Sequence, residues 1–343
     1  MASMTDIAAV AGVSLATVGR VLHHNGYVSE DAKKRVEEAV KTLGYVPNTM
    51  ARALKSRKSG LIGSFVVDNP NGLYRRINES LTDAAEKAGM SLITLQGRLL
   101  HRDEGLIVDR FIGMQVDGLV IISNGNMTAD LFEKLHTLKI PVVCVERCYD
   151  YPFVDNLIVR DRAACRDGLM RMLEEGHRSL ALLAIQPVGV PPSSEKAPQA
   201  VEWERMSGLM EALEQYGLSP EQVILPLHSY SVEEGYRAMK RALMRTPHPT
   251  GVFCTADTLA AGALQAIYQA GLRVPDDISI VGYDDIIAGI LSPPIDSVGL
   301  DLSDAGKTIL SMLSDRMKNP ELPPQTAYLN TCYHDRKTVA ASR

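Results

Sequence analysis

The chain has 343 residues, 45% of them hydrophobic and 22% charged, with a formal net charge of −5. That length gives room for two or three domains, and the composition excludes a disordered or fibrous chain. Apolar runs reach only six residues, as over 180–185, too short to cross a bilayer, and the five scattered cysteines form neither a CxxC pair nor a metal-ligand spacing.

Charge is unevenly placed. Residues 1–60 carry nine Lys/Arg against five Asp/Glu, while the rest of the chain carries 27 against 36. A basic head on an acidic body points the head toward a polyanion, with a solvated basic surface as the alternative. The opening Met-Ala-Ser-Met-Thr-Asp lacks the basic and apolar regions of a secretory signal. The expected compartment is therefore the cytoplasm, with reduced thiols and a place on the nucleoid.

The first expected helix runs from Thr5, as its N-cap, to Ala11, and Gly12 supplies a tight turn. Ser14 then caps a helix over Leu15–Leu22, and a third helix follows Ser29 and stops at Gly44. Two short helices about a glycine turn, braced by a third, form a helix-turn-helix. The start of the second helix enters the major groove in such a unit, which brings Leu15, Ala16, Thr17 and Arg20 to the bases.

From residue 61 short strands alternate with amphipathic helices. Strands are expected at 61–67, 91–95, 118–122, 142–145, 180–185, 252–255 and 278–282, and helices include 77–88, 163–175, 204–216, 232–245 and 259–270. Such alternation predicts parallel sheets covered by helices on both faces. No GxGxxG follows a strand, no P-loop, HExxH or GxSxG occurs, and the eight histidines are scattered. No enzyme, cofactor or metal is expected. Parallel sheets bind ligands at the carboxyl ends of their strands, where this chain places Asp68, Asn69, Ser123, Asn124, Glu146, Arg147, Asp257, Asp284 and Asp285. Arg205 opens a helix after a long loop. A helix cap competes with ligand contact at Asp257, and an exposed ion pair competes at Glu146 and Arg147.

The run "MTDIAAVAGVSLATVGRVL", with "VSEDAKKRVEEAVKTLGYVPNTMARALKSRKSGLIG" after it, resembles the N-terminal signature of the lac repressor/galactose repressor family of bacterial transcription regulators. The resemblance continues through "VDGLVII", "IPVVCVER", "EEGHRSLALL", "GVFCTADTLAAGAL", "GLRVPDDISIVGYDD" and "RKTVA", nearly the whole chain. It implies an α/β fold with an N-terminal all-α helix-turn-helix head over 1–47, a hinge helix and linker over 48–60, and a periplasmic-binding-protein-like core over 61–343. Two parallel α/β subdomains would share that core, one taking about 61–161 and 290–325 and the other about 162–289 and 326–343.

The resemblance also assigns residues. Leu15, Ala16 and Arg20 would carry operator specificity, while Ser14, Thr17, Tyr45 and Asn48 would hold phosphates, with Thr5 counted among the DNA contacts. Leu54 would be an apolar wedge in the minor groove, flanked by Arg52 and Lys55; a core residue of an ordinary linker helix is the alternative. In the cleft, Arg205 and Asp284 would grip the effector and Tyr74 and Tyr230 would line it, joined by Asp68, Asn69, Ser123, Arg147 and Asp257. The implied function is a sequence-specific repressor that binds double-stranded operator DNA under control of a sugar, sugar phosphate or sugar acid. The end "DRKTVAASR" carries no leucine heptad, so a homodimer is expected. The alternative is a solute-binding protein of the same core fold, which the basic head weighs against.

Several positions depart from the family pattern. Gly19 replaces the usual Ser, costing about 1 kcal/mol of helix stability relative to alanine, and His23 replaces a frequent Asn. Weaker or altered operator binding is the expectation. Ala256 precedes Asp257 where Asn is common, and Arg160 stands where Asp is common. The arginines at 75, 76, 147, 160, 162 and 205 favour an acidic effector unless they are surface residues. The proline-rich loop 186–203, ending in Trp203, reads as a solvent-exposed insertion or a lid.

Overall fold

The computed structural model describes residues 2–22, 25–45, 58–67, 72–97, 104–122, 127–187 and 201–342. They form two compact units, Met1–Ser59 and Gly60–Arg343.

In the first unit, α1 (Met4–Ala11) and α2 (Leu15–Leu22) meet at Gly12, whose φ of 60° suits a residue without a Cβ. The cap of α1 is Ser3 rather than Thr5. The Ser3 hydroxyl accepts from the Asp6 amide while the Asp6 carboxylate accepts from the Ser3 amide, a reciprocal pair that Thr5, already inside the first turn, cannot make. The third helix, α3 (Glu30–Leu43), starts at Ser29 and ends at Gly44. Ile7, Ala11, Val18, Val21, Val36 and Ala39 form the small core between the three helices.

The second unit holds two six-stranded sheets. Its elements are β1 (Leu61–Val67), α4 (Leu73–Lys87), β2 (Ser91–Gly97), α5 (Glu104–Gly113), β3 (Gly118–Ile122), α6 (Ala129–Thr137), β4 (Val142–Val145), β5 (Val154–Val159), α7 (Asp161–Glu174), β6 (Leu180–Ile185), α8 (Val201–Gln215), α9 (Pro220–Val223), β7 (Ile224–Leu227), α10 (Val232–Ala242), β8 (Gly251–Cys254), α11 (Asp257–Gln269), β9 (Ser279–Asp284), β10 (Asp296–Leu300), α12 (Ala305–Lys318), β11 (Thr326–Leu329) and β12 (Thr331–His334). The first sheet runs β11-β5-β4-β3-β1-β2 and the second β12-β10-β9-β8-β6-β7; every pairing is parallel except β10 with β12. Alternate strand residues face opposite helical layers. Val120 and Ile122 pack with α4 and α12, whereas Leu119 and Ile121 pack with α5 and α6. The second sheet is likewise covered, by α10 and α11 on one face and α7 and α8 on the other.

The chain crosses between the sheets three times. The first crossing follows β5, at Arg160. The other two depart from the expected 290 and 325. Because β10 pairs with β9, the second crossing falls at 301–304, and because β11 pairs with β5 while β12 pairs with β10, the third is the single residue Asn330. The sequence Asp-Ser-Val-Gly-Leu hides β10, since a strand is signalled by apolar residues. Here Asp296 is buried and accepts from the Arg336 and Thr338 amides and the Tyr333 hydroxyl, which makes its burial affordable.

Candidate functional site

On the head, α2 buries Val18 and Val21 and turns the other way Leu15 (52% exposed), Ala16 and Arg20. Ser14 accepts the Thr17 amide, and the two hydroxyls are 2.9 Å apart, so these side chains cap α2. Thr5 is exposed on α1, and Tyr45 packs partly buried against the small core. Asn48, Arg52, Leu54 and Lys55 lie outside the described residues, as do Asp68, Asn69 and Ser123 of the core.

The core site is built around Arg205. It sits on the inward face of α8 with Val201, Leu209 and Leu213. Gly208, one turn on, lets α7 approach so closely that a Cβ there would lie 2.1 Å from the Arg162 carbonyl oxygen. This places the guanidinium, 3% exposed, among partners from three elements. Its Nε donates to Asp161 Oδ1 at 2.7 Å, Nη1 to the Thr255 carbonyl at 2.7 Å and Nη2 to Asp284 Oδ1 at 3.1 Å. The Tyr283 ring lies 4.3 Å from the guanidinium carbon and the Tyr230 ring 6.0 Å. Tyr283 also donates its hydroxyl to Asp161 at 2.9 Å. Burial works against the charge on Arg205, but the carboxylates of Asp284 and Asp161 more than offset it and hold the group protonated.

A second buried group, from the first sheet and the helix α4 that covers it, lies within electrostatic reach of Arg205. Glu146 follows β4, is 8% exposed and shares a hydrogen bond with Tyr74 of α4. Burial raises its carboxyl from 4.5 to about 8, with Arg205 and Tyr74 partly opposing the shift. Asp284 is raised to about 7, again by burial, with Arg205 opposing. Both have left-handed backbone, φ 68° at Glu146 and 88° at Asp284, a strained state for a non-glycine residue that clusters at functional sites.

Two further expected residues are engaged otherwise. Asp257 Oδ2 accepts the amides of Ile286, Ile287 and Ala288, and its Oδ1 accepts the Ser297 hydroxyl. It thus secures the turn that follows Asp284. Arg147 is half-buried and hydrogen-bonds the Tyr149 side chain. Glu146 and Arg147 therefore do not form the exposed ion pair that is one reading of the sequence. Asp161, Thr255 and Tyr283 were not among the expected residues. The signal for Asp161 was its place at the carboxyl end of a strand, and that strand, β5, was itself not expected.

A helix-turn-helix head and a two-sheet core with a buried Arg–Asp group at its strand ends define a class of DNA-binding regulators. Residues 3–48 match the family model of bacterial regulatory proteins, lacI family, and residues 169–339 match that of the periplasmic binding protein-like domain. The ribose operon repressor of Haemophilus influenzae is 30% identical over 339 residues, covering 97% of each chain. Catabolite control protein A of Priestia megaterium is 27% identical over 313 residues, 91% of each. Among solved structures, the lac repressor dimer bound to operator and the anti-inducer ONPF superposes with a TM-score of 0.82 at 25% identity, covering 99% of each chain. The chain belongs to the lacI family of bacterial regulatory proteins, and it is a DNA-binding transcriptional regulator.

Proposed function

We propose that this regulator is a repressor that acts as a homodimer in the cytoplasm, on the nucleoid, and is no enzyme. Each head reads one half of a two-fold operator with Leu15, Ala16 and Arg20, while Ser14, Thr17, Tyr45 and Thr5 meet the phosphate backbone. Asn48, Arg52, Leu54 and Lys55 continue that contact along the hinge segment. A sugar or sugar derivative enters the core cleft between the Arg205 group and the Tyr74–Glu146 wall, with Asp284 and Tyr230 beside it. Asp68, Asn69 and Ser123 join from the strand ends, and Arg147 and Asp257 hold the cleft in shape. The observation that carries this reading is the buried Arg205–Asp161–Asp284 group at the carboxyl ends of the strands, in a chain whose residues 3–48 match the lacI family. An effector that favours one arrangement of the two sheets shifts operator affinity by the matching factor.

The test is selection of genomic DNA fragments by the purified chain at two salt concentrations. Enrichment of a pseudo-palindrome that weakens as salt rises is expected. A failure to enrich any two-fold site, with or without added sugars, overturns the reading.

A further inference from the structure

Arg160 marks the first crossing between the sheets, and it is also one of the positions at which the chain departs from its family's pattern. Its side chain finds a partner near another crossing. The guanidinium carbon lies 4.2 Å from the centre of the Tyr328 ring, and Tyr328 stands on β11, two residues before Asn330. Among the described residues no carboxylate lies within ion-pair distance of Arg160, so the ring is the contact that holds its side chain.

The two partners move with different parts of the core. Tyr328 belongs to the first sheet, where β11 pairs with β5 through Ile158↔Tyr328 and Val159↔Leu329. Arg160 leaves that ladder and stands as the N-cap residue of α7, with φ −83° and ψ 57°. The next residue, Asp161, is bonded to Arg205. A twist of the second sheet against the first is taken up in the backbone angles of the few residues that cross. At Arg160 such a twist swings the guanidinium off a ring that stays with β5. The contact therefore exists in one arrangement of the sheets and is lost in others, and only such a difference can bias one against another.

The second and third crossings are joined by backbone, since the Asn330 carbonyl accepts the Asp301 amide at 2.9 Å. Arg160 and Tyr328 add the first crossing to that band through side chains alone. Both are exposed, Tyr328 by 48%. A cation over a ring in such a setting shifts an equilibrium by about two- to fivefold. That is enough to bias a switch without locking it. We infer that Arg160 and Tyr328 form a latch between the first and third crossings that favours the described arrangement of the two sheets, so that an effector selecting another arrangement has to release it. The latch rests on the effector reading above in one respect, that the sheets have more than one arrangement.

The test is a spin-label distance measurement on the full chain. Glu133→Cys on α6 and Gln215→Cys on α8 supply the label sites, while Cys148→Ser and Cys332→Ser remove the cysteines that are not buried. Labelled chain is diluted into unlabelled chain so that each assembly carries one pair. Two distances are expected, one of them that of the described arrangement. Arg160→Met and Tyr328→Leu should each lower its population relative to the other by about two- to fivefold, and Arg160→Lys, which keeps a cation, by less. The double variant Arg160→Met with Tyr328→Leu should go no further than either single one, because the partners act as a pair.

Unchanged populations, or losses that add in the double variant, overturn the latch alone. One distance in every chain overturns the reading beneath it as well.

Discussion

In the head, Arg20 stands exposed on α2 beside Leu15 and Ala16, over a core of six buried side chains. In the core, Arg205 is almost wholly buried and bonded to two carboxylates and a carbonyl. An exposed cation remains solvated and available to a polyanion at little cost to folding. A buried one has been desolvated, so its countercharges become part of the structure. Binding and stability should therefore separate cleanly in the head and be entangled in the core.

The strongest way to break that contrast is Arg205→Ala, which leaves Asp161 and Asp284 buried without their cation. A loss of about 3–5 kcal/mol in the urea unfolding of the core is expected, while Arg20→Ala should leave unfolding unchanged within about 0.5 kcal/mol. Equal effects from the two substitutions would erase the distinction. Asp257→Ala should cost about 2–3 kcal/mol, because the amides of residues 286–288 lose their acceptor. A measured cost below about 1 kcal/mol would show that the turn holds itself.

The pH dependence sharpens the comparison further. The folded core holds a proton on Glu146 up to about 8, whereas the unfolded chain releases it near 4.5. The folded state thus binds more protons across that window, and core stability should fall as pH rises from about 5 to 8, by at most about 1.4 kcal/mol per unit for this group. Asp284 adds a fall in the same direction up to about 7. Glu146→Gln should flatten its share of the slope, and a denaturation series at four pH values decides. The smallest effect belongs to the head. At Gly19 a Cβ would meet only the Met4 methyl, 3.7 Å away, so Gly19→Ala should stabilise the head by about 1 kcal/mol. Slower amide exchange along α2 in the full chain would register it, and unchanged exchange would refute it.

What could be read from the sequence follows from what each element advertises. The strands with unbroken apolar runs, such as Gly118–Ile122 and Leu180–Ile185, declared themselves. By contrast, β5 carries Asp155 and Asn156 in its interior and β10 carries Asp296 and Ser297. Their burial depends on partners outside the strands themselves. Arg316 binds Asp155, and the Tyr149 backbone pairs with the Asn156 amide group. No local pattern encodes such partners. In the cleft, Arg205 and Asp284 were visible through the family motifs and the strand-end rule. Asp161 was not, because β5, the strand whose carboxyl end it follows, carries polar residues in its interior and so gives no strand signal. Asp257 looked like a ligand group from its position, and only the folded turn at 286–288 shows where its oxygens point.

The third passage between the sheets is a single residue, Asn330, with β11 ending at Leu329 and β12 beginning at Thr331. One residue supplies two soft dihedral angles, and its neighbouring Cα atoms lie about 3.8 Å away on either side. The two sheets are pinned there as a door is pinned to its frame. Those two angles allow a swing or twist about that point, whereas sliding the sheets apart there would have to break the pairing of β11 with β5 or of β12 with β10.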